Sequence, residues 1–530
     1  MNSDLDDAAR HTAQHLSRAA PPLVGPFRAA LPRAAATVGR RLAGALYREN
    51  IGDARERFAG VGRRHGFDRL EVDKLDDPPT GPADLLPAGL PGAAGLAEEL
   101  TDATVNLALA YARPQPPDPG TDPDGRALAY ERVAVDGHNL HPCGRTRLGW
   151  NTGDTLRHDV EAGSTTVAFV AVHPDLHVGD DLGATLADLY DTAPDGHHVI
   201  PVHQWQRDTV LRHRYADLYQ QGLIRDLDGT IEAAPTAAVR TLLLPAARDG
   251  HRRYLKLSLD IQVTSTRRSI STASTRNGPA ISAVLHRLLA DDPTVLLLAE
   301  TAGTALAAGA GRDGSAILRD GVDRHLAANE TAIPGGGLTA GDTLDQLVPP
   351  GAGNALRFVG EYARLLLPPV VGLAARHGIA LEAHLQNCLP TFVDGRPHRL
   401  VFRDFAGLRM YLPRLADPPP LWPGSVITTG DVEVMRAKLG YTALQAHLGE
   451  IVVRLTRSHD LDEDLAWRVI RDALDEAYEP LLSDPTSTAA ARADHAALTA
   501  RTVPHKALVR MRLAGDGDRY VDVHNPLHDP

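Results

Sequence analysis

Three stretches gather the side chains that anionic chemistry needs. The first, "GHNLHPCGRTRLGW" at residues 137–150, puts His138, His141, Arg145 and Arg147 within ten residues, next to two glycines. A guanidinium presents a fixed fork of donors, so such a loop suits phosphate or carboxylate oxygens. Composition alone supports a solvated loop equally well. His-x-x-His also hints at a metal, but no third ligand follows at a recognisable spacing. The second stretch, "KLSLDIQVTSTRRS" at residues 256–269, alternates. Leu257, Leu259, Ile261 and Val263 share one face with the preceding Leu255, and Lys256, Ser258, Asp260, Gln262, Thr264, Thr266 and Arg268 share the other. That period predicts a half-buried strand. Its continuation, "SISTASTRNGPAIS", adds Arg276 and further hydroxyls before Asn277-Gly278-Pro279, which reads as a turn. Hydroxyls and guanidiniums together can cradle a polyphosphate without the P-loop sequence, which the chain lacks. Taken alone, a solvent-facing strand and loop is the commoner outcome.

The third stretch is "EAHLQN", followed by "RDF" after an Asp394-Gly395 turn pair. In extended backbone Glu382, His384 and Gln386 lie on one face. Register then decides the partner of Gln386: Arg403 for a two-residue turn, Asp404 for a three-residue one. Carboxylates at 382 and 404 around a histidine and an amide can hold Mg²⁺ beside a nucleotide, because hard cations take oxygen ligands. An exposed hairpin with an incidental histidine is the alternative.

These stretches need elements to position them. Residues 1–126 read as a helical region with proline-rich linkers, "DDPPTGPADLLPAGLPG" and "RPQPPDPGTDPDG". Residues 127–350 carry short β-like runs, among them "STTVAFVAVH", "RTLLLPAA", "TVLLLAE" and "SAILRDGV". Residues 351–530 are mostly helical, opening with "NALRFVGEYARLLL", where Leu356, Val359, Gly360, Ala363 and Leu367 share a helical face, and closing on an extended tail, "HKALVRMRLAGDGDRYVDV". The expected class is α+β.

Composition narrows the function. With 55 Lys and Arg against 67 Asp and Glu, the 530-residue chain carries a net charge of −12 and no long basic run, which argues against a nucleic-acid surface. Pro21 and Pro22 fall where a signal peptide needs an apolar core, and "TVLLLAETAGTALAAGAG" carries Glu300, unlike a membrane span. A cytoplasmic protein with no membrane partner is expected. The two cysteines, Cys143 and Cys388, form no pair spacing and read as inert packing residues. Gly309, Gly311 and Gly314 match G-x-G-x-x-G, but a strand-like run follows where a dinucleotide site needs a helix. Serine-hydrolase elbow and zincin motifs are absent.

In this order the three stretches resemble the conserved blocks of the NRPS-independent siderophore synthetases, the aerobactin-synthetase or IucA/IucC family. The blocks are G-H-P-x-H-P-x-x-K-x-R-x-G, K-L-S…T-S…R…N-G-P and E-x-H-x-Q-N…R-D-F; "KALVRMRL" and "NPL" resemble the C-terminal segment. The resemblance implies a hand-like fold of thumb, fingers and palm, a homodimer, and ATP with Mg²⁺. It implies adenylation of a carboxylic acid such as citrate, then condensation with an amine, hydroxylamine or alcohol, releasing AMP and pyrophosphate. By motif, Lys256, Thr266, Arg268, Ser269, Glu382, His384, Gln386, Asn387 and Asp404 would contact ATP, with Glu382 and Asp404 also holding the metal. His138, His141, Arg145, Arg147 and Asn277 would bind the acid, and Arg268, His384 and His141 would be catalytic. Arg145 stands where the motif has lysine, and Asn139 where it has proline. An acyl-phosphate-forming ligase and a non-catalytic nucleotide- or siderophore-binding relative are the alternatives.

Overall fold

The computed structural model describes residues 3–72, 81–190, 196–264, 266–515 and 517–529. Residues 76–80 of the first proline-rich stretch, and Ser265, lie outside them.

Ala- and Leu-rich segments near the N-terminus form the helices Ser3–Ala19, Val24–Glu49 and Ala93–Ala112. They bury Leu16, Phe27, Leu42, Leu46, Leu96, Leu100 and Leu107 in one core, which Val509 from the far end of the chain completes. The second proline-rich stretch is held against the body rather than left free. Arg132 and Arg252 donate to the carbonyls of Pro117 and Pro119 at 2.9 and 2.7 Å, and Asp122 then caps the helix Pro123–Val133.

The middle of the chain builds a nine-stranded sheet. Its path runs His177–Gly179, Glu300–Leu306, Ser315–Asp320, Arg253–Leu257, Thr241–Leu243, Ile231–Pro235, Thr165–Val172 and His198–His203, with Ile224–Asp226 also on Thr165–Val172. Every pairing in it is antiparallel. A second sheet joins the two later regions: Val295–Leu297 lies parallel to Arg396–Phe402, and Thr331–Ala332 pairs with Cys388–Val393. The boundary near residue 350 therefore does not separate sheets. Beyond it, Ala352–His377 packs along Glu463–Ser483 through Tyr362, Leu366, Val370, Ile470 and Tyr478. That helix is long and apolar enough to cross a membrane by length and composition, yet 78% of its most apolar window is buried inside the fold.

Three expectations change. The strand over 255–268 is not continuous. Arg253–Leu257 belongs to the large sheet, the chain breaks at Ser258, and Leu259–Val263 turns back through Thr264 (φ 57°) to pair with Thr266–Arg268. The apolar row is buried throughout but serves two cores: Leu255 and Leu257 under the sheet, and Leu259, Ile261 and Val263 with Trp150 and Trp205. Asn277-Gly278-Pro279 is no turn but lies inside the helix Thr272–Leu288. Pro279 has no N–H for the Thr275 carbonyl four residues back, and Gly303 packs so closely on that carbonyl that any side chain there would collide. The C-terminal tail is not extended throughout: Thr502–Lys506 and Tyr520–His524 pair around the helix Leu508–Ala514.

Candidate active site

A cleft of about 860 Å³, counting its open mouth, lies where the 137–144 loop, the 259–268 hairpin and the 384–386 turn meet. His138, Thr264, Arg268, His384, Gln386 and Arg403 all line it. The hairpin brings Arg268 in: its guanidinium donates to Thr264 Oγ1 at 3.2 Å, and Arg240 holds the backbone by donating to the carbonyls of Arg268 and Ser269 at 2.8 and 3.2 Å. Burial and the neighbouring Arg240 and Arg147 push Arg268 down to about 9, so it stays cationic at neutral pH. Its Nε is buried without a partner, the state expected of a donor that awaits an oxyanion. Thr266 and Ser269 occupy the same hairpin, with Thr266 exposed.

Two lysine–carboxylate pairs lie beside it. Lys256, from the sheet, sits 2.6 Å from Asp404 and 3.8 Å from Glu300. Lys438, from the helix Val432–Leu439, sits 2.9 Å from Glu382. Asp404, in the left-handed region at φ 61°, is held far below the usual carboxylate range by Lys256 and Arg240. Lys438 and His384 hold Glu382 at about 2 against the cost of burial. Glu300 is raised by burial and leaves Oε2 buried without a partner. Gly407 packs against the Glu382 carboxylate where a Cβ would overlap it, so glycine there makes room for the acid.

The 382–387 segment is a turn rather than a strand. Asn387 donates from its backbone to the His384 carbonyl at 3.0 Å, leaving Gln386 exposed and Asn387 buried. The Asn387 amide donates to the Glu382 carbonyl at 3.3 Å. The hairpin combines both expected registers. Asp394 and Gly395 (φ 51° and 75°) make the two-residue turn, Val393 faces Arg396, and a bulge between Pro390 and Phe392 then shifts the pairing by one residue. Asn387 consequently meets Arg403, whose Nε donates to the Gln386 carbonyl at 3.0 Å and whose other arm reaches Glu131 at 2.8 Å.

Hydrogen bonds assign the histidine tautomers. His138 Nδ1 accepts from the backbone of Leu140 and His141, and His141 Nδ1 accepts from Cys143 at 3.0 Å. Burial pushes His138 down to about 3 and His141 well below its ordinary value. Both are neutral with the proton on Nε2, so they donate there and cannot act as bases at that atom. His384 is also lowered by burial, with Glu382 pulling the other way.

Several expected ligands are committed elsewhere. Arg147, 2% exposed, pairs through two nitrogens with Asp159 at 3.0 Å, and Arg145 pairs with Glu161 at 2.7 Å and Asp159 at 3.3 Å. They brace the base of the loop. Asn277 donates to Ser425 at 2.9 Å and accepts from Trp422 at 2.7 Å, anchoring the 421–425 segment. Sequence reasoning missed Lys438, Arg240, Glu300 and His447. His447 donates from Nδ1 to the Ala383 carbonyl at 2.9 Å and accepts from Tyr362 at 2.7 Å, fixing the backbone between Glu382 and His384. Only the cluster of basic residues in "EVMRAKLG" could have drawn attention to Lys438. Among the described residues no group of three His, Cys, Asp or Glu is arranged to hold a metal.

Residues 126–340 match the IucA / IucC family, and residues 356–521 match the ferric iron reductase FhuF-like transporter family. The D-ornithine–citrate ligase of Staphylococcus aureus is 25% identical over 76% of this chain and 70% of its own length. The citryl-spermidine/3,4-dihydroxybenzoyl-citryl-spermidine:spermidine ligase of Bacillus anthracis is 26% identical over 75% and 71%. Among solved structures, the petrobactin biosynthesis protein AsbB of Bacillus anthracis superposes with a TM-score of 0.80 at 19% identity, covering 96% of this chain and 98% of that one. The ATP-bound aerobactin synthetase IucA of Klebsiella pneumoniae gives 0.68 at 18% identity, over 87% and 90%. With its three motifs gathered around one cleft, the chain carries an IucA / IucC family domain over residues 126–340 and is similar along most of its length to siderophore synthetases.

Proposed function

We propose that this protein is an ATP-dependent carboxylate–amine ligase of siderophore type, which adenylates citrate or a related polycarboxylate and transfers the acyl group to an amine, hydroxylamine or alcohol. The observation that carries the reading is the convergence of Arg268 with the Lys256–Asp404 and Lys438–Glu382 pairs beside one cleft. In the first step a carboxylate oxygen attacks the α-phosphorus and pyrophosphate leaves. Two anions must approach, so a cationic pocket is needed, and Arg268 supplies an unpaired buried donor. Glu382 and Asp404, both held ionised, are the carboxylates that would hold Mg²⁺, each sharing its charge with the lysine now paired to it. When bound, the ion would neutralise phosphate charge. In the second step the amine nitrogen bonds to the acyl carbon, AMP departs, and the amine loses a proton. His384, uncharged at neutral pH, is the acceptor we assign; His138 and His141 serve as Nε2 donors. The same reading includes a homodimer, which light scattering on the purified chain checks.

Incubation with ATP, Mg²⁺ and a panel of acids and amines tests the reading. Acid-dependent pyrophosphate and AMP are expected. ADP and phosphate would instead establish the acyl-phosphate route. No acid-dependent nucleotide cleavage would favour the binding-only relative, although Cys388, the one cysteine in the FhuF-like segment, is fully buried and cannot by itself ligate an iron–sulfur cluster.

A further inference from the structure

A second cavity, of about 820 Å³ counting its open mouth, lies behind the 136–140 loop, between the helix Val24–Glu49, the hairpin strand Arg69–Glu71 and the helix Gly449–His459. Thr37, Arg41, Gly44, Ala45 and Arg48 recur at helical spacing along one face, with the small pair Gly44 and Ala45 leaving room between the arginines. Five arginines line the cavity: Arg40, Arg41, Arg48, Arg69 and Arg457. Among the described lining residues they face three carboxylates, so two of the arginines are left without an ion pair. Arg69 takes Glu450 at 2.7 Å, Arg457 takes Glu71, and Arg41 takes Asp136 at 3.7 Å while donating to its carbonyl at 2.6 Å. Arg69 holds Glu450 at about 2, and His65 with Arg457 holds Glu71 at about 2, against the cost of burial, so neither loses charge near neutrality.

The two remaining arginines make no ion pair with a carboxylate among the described residues, although Glu49 and Asp68 lie near enough to Arg48 to favour its charge. Arg40 reaches only the Thr37 hydroxyl, at 3.4 Å. Arg48 is 5% exposed, and its Nε has no partner. Its one side-chain contact is His505 Nε2 at 3.2 Å. His505 is neutral there, because burial and Arg48 hold it well below its ordinary value; Nε2 then accepts from Arg48, while Nδ1 donates to Gln445 Oε1 at 2.6 Å and the Gln445 amide donates to the Pro504 carbonyl. A buried guanidinium without an ion pair is costly, and planar forks pair best with carboxylate or phosphoryl oxygens.

We infer that this arginine cavity is an oxyanion-binding site for a small dianion bearing carboxylate or phosphoryl groups, separate from the cleft. One loop stands between the two: His138 and Gly144 face the cleft, Asp136 and Leu140 face the arginine cavity, and Asn139 lines both. Asn139, the residue that replaces the motif's proline, donates to Glu450 at 2.8 Å and so joins the loop to the arginine network. The inference does not rest on the ligase reading.

Calorimetric titration of the full chain, without nucleotide, with inorganic phosphate and separately with tricarballylate tests it. Wild type and Arg268→Ala are expected to bind alike, whereas Arg48→Gln and the half-buried Arg40→Gln each weaken binding about tenfold, the scale of one charge-assisted hydrogen bond. Arg40→Gln keeps the test meaningful if Arg48→Gln fails to fold, which circular dichroism reports. Preference for phosphate assigns a phosphoryl ligand and preference for tricarballylate a carboxylate one; either supports the site. Undiminished binding in the folded Arg40→Gln variant, loss in Arg268→Ala alone, or no binding of either anion to wild type overturns it.

Discussion

Arg268 and His384 are each asked to do one thing, and their surroundings say how far removal should go. Arg268→Ala takes away the buried donor aimed into the cleft, so acid-dependent pyrophosphate release should fall about 10²- to 10³-fold while the melting temperature holds. His384→Ala should lower acyl transfer by about 10²-fold or more. Its pH profile is the sharper measurement. Burial lowers the His384 pKa, so the neutral form persists below pH 6.5; the acid limb of acyl transfer should lie under that value and vanish in the alanine variant. An acid limb unchanged in His384→Ala would remove the residue from the proton-accepting role. Residue types at 138, 268, 382, 384 and 404 could be picked from the chain because chemistry restricts them. Their states could not, since neutrality of His138 and ionisation of Glu382 depend on backbone donors and on Lys438, which is distant in sequence.

Elements set the distances between those residues. Gly407 is a test at this scale: in Gly407→Ala the new methyl displaces the Glu382 carboxylate, and a shift of about 1 Å in a positioning group costs about 10²-fold in rate. Assay of pyrophosphate release with unchanged circular dichroism checks it. Asn277 gives a test with the opposite expectation. As an anchor for 421–425, Asn277→Ala should lower stability by about 1–3 kcal/mol and leave the KM for the acid unchanged; a raised KM with unchanged melting would restore it as a ligand. Periodicity found the strands and the long helices, including Ala93–Ala112 and Ala352–His377. It failed where local signals and packing disagree. Asn-Gly-Pro reads as a turn, but the helix Thr272–Leu288 runs through it, and the strand residue Gly303 packs close against its Thr275 carbonyl where a side chain would collide. The alternation at 255–268 holds for burial yet conceals a break and a hairpin, since two separate cores can each take part of one apolar row.

At the scale of the molecule, the two ends of the chain close on each other. Glu49, at the end of an N-terminal helix, accepts from the backbone of Val509 and Arg510 at 2.9 and 2.7 Å and so caps the helix Leu508–Ala514 from outside it. Glu49→Ala would orphan both donors and should cost about 2–4 kcal/mol, read as a lower melting temperature with faster hydrogen exchange confined first to 508–514. Glu382, Glu450 and Glu71, each depressed to about 2 from 4.5, contribute stability that is present above pH 4.5 and lost as pH falls toward 2. Glu450 and Glu71 bind Arg69 and Arg457 across regions, so acid should separate regions before it melts helices, with tryptophan fluorescence changing ahead of far-ultraviolet dichroism. From the sequence alone came the α+β class, the elements with clear periodicity, and the three motifs with their implied family, because these rest on local spacing and residue type. Tertiary structure decided which of those residues share a cleft, that Arg145, Arg147 and Asn277 are spent on bracing, and that Arg40 and Arg48 face a cavity with no ion-pair partner among the described residues. The reason is that charge pairing and burial are set by neighbours hundreds of residues away, which no local pattern encodes.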